Sequence, residues 1–166
     1  MKRGRIIAPA VIAAVVLVWL LWPAGDERQI RRMFDRLART VSKDAGDGPF
    51  TLSGKHDGLR AIFTDDCEVA PGPPAHSMRG LGDVTTAYTA AFQYVKELTV
   101  SFRDVTVTVT GDTASVRTTV TATGPDIEGI EAREAAAELV RTGDGWRIKT
   151  IRAVPTLIRP GSEQKP

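Results

Sequence analysis

Val105-Thr106-Val107-Thr108-Val109-Thr110 is followed by Gly111-Asp112 and then by Thr113-Ala114-Ser115-Val116-Arg117-Thr118-Thr119-Val120. Apolar and polar residues alternate on both sides of a glycine-aspartate pair, which is the pattern of two half-buried strands joined by a tight turn. The same logic applies downstream. Thr142-Gly143-Asp144-Gly145-Trp146 reads as a second hairpin turn leading into Trp146, Ile148, Ile151 and Val154. Such a turn needs an antiparallel partner upstream, so Glu131 to Val140 is expected to be a strand although EAREAAAELV has strong helix propensity, which tertiary context can override. Four antiparallel strands therefore occupy the second half of the chain.

The first half is helical by the same test. Ile30, Met33, Phe34, Leu37 and Val41 recur at helical spacing, with Arg28, Arg32, Arg36 and Arg39 over much of the opposite face. These arginines could reach anionic head groups. A solvated face, with Asp26, Glu27 and Asp35 offsetting part of the charge, is the simpler reading. Lys43 to Gly58 is rich in glycine, aspartate, serine and proline and reads as a surface loop. A short helix over about 56–63 then delivers Thr64 to Ala70, a turn entering a strand that the proline-rich Pro71 to Pro74 stops. Asp65 and Asp66 are expected as turn and cap residues. A third helix runs from Val84 to Glu97, with Asp83 as its N-cap and Tyr88, Ala91, Phe92 and Val95 on one face.

Ahead of these elements, Met1-Lys2-Arg3-Gly4-Arg5 runs into an apolar stretch from Ile6 to Trp22. As a helix it would rise about 25 Å, near the short end of what spans a bilayer and longer than the usual core of a signal peptide. Cutting after Ala24 or Gly25 would put Trp22 or Pro23 at the third-last position, where a small residue is wanted, so an uncleaved anchor is favoured over a cleaved signal. Lys2, Arg3 and Arg5 hold the start of the chain in the cytoplasm, while Trp19 and Trp22 sit at the far interface. The expected organisation is an anchor over 1–25, one domain over 26–158 and a disordered tail over 159–166, with the domain outside the cytoplasm on the inner membrane.

About 140 residues after the anchor are enough for one core without disulfides or metals. The formal charge of +2 is concentrated near the start and the rest is mixed, so nucleic-acid binding is not expected. Cys67 is the only cysteine, which excludes an internal disulfide and leaves a buried, inert thiol as the expectation. His56 and His76 belong to no metal-binding spacing, so neither a metal nor a cofactor is expected. Ser53 and Ser77 lack a nucleophile elbow, and Gly80-Leu81-Gly82 lacks a basic phosphate clamp.

Taken together, the order of elements with Phe63-Thr64-Asp65-Asp66-Cys67-Glu68-Val69, Arg79-Gly80, Gly111-Asp112-Thr113-Ala114 and Gly143-Asp144-Gly145-Trp146-Arg147-Ile148 resembles the nuclear transport factor 2-like, or SnoaL-like, superfamily. The resemblance covers nearly all of the chain after Asp26. It implies an α+β fold, a cone in which a curved antiparallel sheet wraps helices and leaves a pocket, here behind one transmembrane helix. Met33, Phe34, Leu37, Phe63, Val69, Phe92 and Trp146 are then the expected pocket lining. That superfamily includes isomerases, dehydratases, epoxide hydrolases, cyclases and members without chemistry, so the residues must decide. Where ketosteroid isomerase-like members carry a general-base aspartate, this chain has Ala70 or Pro71, and neither accepts a proton. Where they carry an oxyanion-stabilising tyrosine, it has Met33 or Phe34, which donate no hydrogen bond. Glu68, His76 and Tyr88 remain as weak catalytic candidates, with Glu134 and Glu138 possible on the sheet. The favoured reading is a non-catalytic domain that binds a small apolar ligand or an inner-membrane assembly partner. An anchored cyclase, dehydratase or isomerase is the alternative. The resemblance also implies a homodimer across the threonine-rich sheet face.

Overall fold

The computed structural model describes residues 25–73, 75–125 and 131–154. The expected anchor with Ile6, Trp19 and Trp22, and the expected disordered tail, lie outside the described residues. Among the described residues no helix is long and apolar enough to cross a membrane.

Residues 25–41 form α1. It is followed by α2 (Pro49–Ile62), β1 (Phe63–Ala70), β2 (Met78–Arg79), α3 (Gly80–Tyr94), β3 (Thr99–Thr110), β4 (Thr113–Thr123), β5 (Glu131–Thr142) and β6 (Gly145–Ala153). The strands make one sheet in the order β2-β1-β6-β5-β4-β3. The β3–β6 meander is antiparallel throughout, and its two-residue loops at Gly111-Asp112 and Gly143-Asp144 fall where the sequence puts them. Gly111 supplies the left-handed backbone (φ +59) that the first of these turns requires. β5 is a strand despite its helix-forming composition. Ala135, Ala137 and Leu139 face inward, and each residue of β5 pairs on one side or both, so ladder hydrogen bonds and burial outweigh local propensity.

Four expectations are corrected. The sheet is mixed and not antiparallel, because β1 pairs with the last strand, β6, in parallel, and no local pattern announces a pairing across some 80 residues. The stretch read as a loop from Lys43 to Gly58 is helical from Pro49 on: proline fills the first turn, where its missing N–H costs nothing. Gly58 belongs to this helix because α2 crosses α1 there, and a Cβ at Gly58 would lie 2.9 Å from Thr40 Oγ1. Asp65 and Asp66 are exposed strand residues of β1 and not turn or cap residues; Asp66 faces Lys149 at 3.6 Å. Helix α3 starts at Gly80, with Arg79 at its cap, and Asp83 accepts the Arg79 backbone N–H from inside the first turn at 3.3 Å.

The core lies between α1 and the sheet. Ile30, Met33, Phe34 and Leu37 pack with Leu59 and Ile62 against Val116, Leu139, Trp146 and Ile148. Phe34 meets Phe102 edge to face at 5.2 Å. Two register shifts interrupt the meander, and a third lies between Phe63 and Glu68 where β1 meets β6. In β3 the register shifts between Arg103 and Thr106, with Asp104 left-handed at φ 53, and between β5 and β6 it shifts beside Leu139. Thr118, buried opposite the first bulge, donates its hydroxyl to the Arg103 carbonyl at 2.7 Å.

Candidate functional site

Between the end of α1, α3 and the sheet lies a cavity of about 730 Å³, a size typical of small-molecule sites. Leu37 and Val41 of α1, Phe63 and Val69 of β1, Tyr88 of α3 and Phe102 of β3 form much of its wall. Small side chains make the space. Ala70, Ala87, Ala91, Ala122, Ala135 and Ala153 converge on it, so the sheet and α3 stay apart where larger residues would meet. The charged lining consists of Arg133, Glu134 and Arg152, all exposed. Arg133 donates to the carbonyls of Pro71 and Pro73 at 3.4 and 3.3 Å, and Arg152 pairs with Glu138 at 3.2 Å.

Leu37, Phe63 and Val69 of the expected pocket residues line this cavity. Phe34 is instead enclosed in the core. Phe92 is buried beneath Lys43, whose ammonium sits 4.4 Å from its ring and donates to the Phe92 and Val95 carbonyls, satisfying the end of α3. Met33 and Trp146 line a different depression, at the start of α1.

The three weak catalytic candidates are not brought together. Tyr88 lines the cavity, but its hydroxyl donates to the Thr40 carbonyl at 3.1 Å. Burial, with Asp47 adding a smaller effect, pushes that phenol up to about 12, so it stays protonated at physiological pH. Glu68 points away, toward Arg79 at 3.9 Å on the open surface, and His76 is exposed in the loop before β2. Glu134 reaches the cavity rim, while Glu138, outside it, pairs with the rim residue Arg152. His56 shares a hydrogen bond with Thr89 at 2.9 Å. Cys67 is fully enclosed, and burial raises its thiol pKa. Among the described residues no three histidine, cysteine or carboxylate groups cluster to hold a metal.

A second feature had no signal in the sequence. Asp26, buried at the start of α1, accepts from Arg141 at 2.6 Å and from the Trp146 indole at 3.2 Å. Arg141 also stacks 4.5 Å from the Trp146 ring and reaches Asp112 at 3.3 Å. The Arg141 hydrogen bond holds the Asp26 carboxyl below its ordinary pKa against the opposing effect of burial. Nothing local connects Asp26 to residues more than a hundred positions away.

Solved structures share this architecture. Among them are an NTF2-like protein with a cystatin-like fold from Novosphingobium aromaticivorans (TM-score 0.66, 20% identity, 82% of this chain and 86% of that one) and the Kfla4162 protein of Kribbella flavida (TM-score 0.64, 21% identity, 80% and 91%). A proposed dehydratase of the NTF2-like family from Streptomyces avermitilis is similar as well (TM-score 0.61, 21% identity, 81% and 99%). At these identities the likeness is one of fold. Comparison with curated proteins gave no match. The family model of the SnoaL-like domain matches residues 23–152, which takes in every described strand but the last residue of β6, and the chain belongs to that family.

Proposed function

We propose that this SnoaL-like chain is a membrane-anchored binding protein. Residues 6–22 hold it in the cytoplasmic membrane by a single pass, the domain stands outside the cytoplasm, and the cavity takes up a small apolar or amphipathic ligand without transforming it. The observation that carries this reading is the cavity wall: aliphatic, aromatic and alanine side chains throughout, with charge confined to the rim. Proton-transfer chemistry needs a base and a donor converging on one bound atom. Ala70 and Pro71, which the resemblance to ketosteroid isomerase-like members puts where those carry a base, line the cavity, and the hydroxyl of Tyr88 is engaged with the backbone. The basic start and the length of the apolar run support the anchor and its orientation.

Native mass spectrometry of the full chain released from lipid nanodiscs tests this. The expected result is a reproducible bound small molecule that Ala135→Trp, which fills the cavity, removes. A cavity empty in every preparation would turn the search to a protein partner.

One observation favours a second reading, an anchored cyclase, dehydratase or isomerase: Glu134 and Tyr88, a carboxylate and a phenol, both border the cavity. Loss of cellular function in Glu134→Gln with unchanged thermal stability would move the assignment to that class.

A further inference from the structure

We propose a second binding surface: the arginine-lined depression at the start of α1 seats the phosphate groups of anionic phospholipids at the bilayer surface. This rests on the anchor reading above. The depression, about 610 Å³, is bordered by Arg28, Arg32 and Arg36 with Gln29, Asp144 and Trp146. Spacing of four residues stacks the three guanidinium groups along one stripe that rises about 12 Å. Guanidinium forks match phosphate oxygens two at a time.

Three of the acids near Arg32 and Arg36 are engaged with other groups, and Asp35, exposed on the same helix, forms no ion pair among the described residues. Asp26 is turned inward to Arg141 and Trp146, and Glu27 holds Arg31 at 2.7 Å. Asp144, the acid at the border, pairs with Arg147 at 3.5 Å. Among the described residues neither Arg32 nor Arg36 has an ion-pair partner. Position supplies the occupant. Gly25 borders the depression and follows Trp22, the end of the apolar run, by three residues, a reach of about 10 Å at most. The stripe thereby starts near the head groups, with Arg28 closest to them along the chain and Arg36 farthest. Lipid phosphate is the anion present there at high density. The cavity is walled by the other end of α1, at Leu37 and Val41, so the two surfaces do not compete.

The test uses the full chain in nanodiscs of phosphatidylcholine alone or of an equimolar mixture with phosphatidylglycerol. Arginine modification by phenylglyoxal is followed residue by residue by mass spectrometry. Arg32 and Arg36 are expected to react about fivefold more slowly or less in the anionic discs, with high salt restoring the rate and exposed Arg103 unaffected. Equal rates in both lipids, with the chain co-eluting with the discs, would overturn the proposal and leave the anchor standing. Equal slowing by inorganic phosphate in phosphatidylcholine discs would overturn the lipid assignment in favour of a free anion site. A chain that elutes apart from the discs would overturn the anchor reading and this proposal with it.

Discussion

The two ends of α1 are finished in opposite ways. At its start a buried carboxylate is closed over by Arg141 and Trp146, both of its oxygens partnered across the fold. At its other end Leu37 and Val41 face a cavity that small side chains leave unfilled. A buried charge tolerates no vacancy, because a missing partner leaves it desolvated and unpaired, whereas an apolar wall gives up only contact energy when it faces space. Paired charge closes one end of α1, and small apolar side chains leave open space at the other.

The largest effect is expected at the closed end. Asp26→Ala strands the Trp146 N–H and part of the Arg141 charge and should cost about 3 kcal/mol, read by urea unfolding. The same pair sets a pH dependence. Because the folded-state pKa of Asp26 is depressed, its contribution is fully present above the unfolded value of about 3.9 and is lost as pH falls through the folded value below that. Wild type should therefore weaken on acidification below about pH 4 more steeply than Asp26→Asn, and parallel curves would remove Asp26 from the account.

A matched pair on β5 compares packed interior with open space directly. Ala137 is enclosed in the core, whereas Ala135, two residues back on the same face, borders the cavity. Ala137→Leu should cost about 2 kcal/mol by overpacking and Ala135→Leu less than about 1 kcal/mol, with reduced ligand occupancy in the second alone. Similar losses in both would mean that the cavity closes in solution. The smallest effects are expected outside both regions: Glu68→Ala and His76→Ala should each change stability by less than about 0.5 kcal/mol, since an exposed pair at 3.9 Å and a solvated loop histidine contribute little. They should also leave cellular function intact; a large functional loss from either at unchanged stability would return it to the catalytic candidates.

Much of the sheet was legible because its signals are local: alternation in Val105 to Thr110, and glycine-aspartate turns that fix the hairpin register. Helix α2 was hidden by the loop-like composition of its first turns, and the contact with α1 that packs it comes later, where Gly58 meets Thr40. The candidate site was legible in part. Leu37, Phe63 and Val69 border the cavity, but Phe34, on the same face of α1 as Leu37, packs into the core, and sequence periodicity assigns a face without saying what stands opposite it.

By itself, then, the sequence determined the helices α1 and α3, the four-stranded meander and the burial of Cys67, all of which follow from side-chain chemistry and near-neighbour spacing. Tertiary structure alone decided the parallel pairing of β1 with β6, the Asp26–Arg141–Trp146 closure, and which alanines leave a cavity. Each of these joins residues tens of positions apart, and it exists only when packing has already brought them within reach.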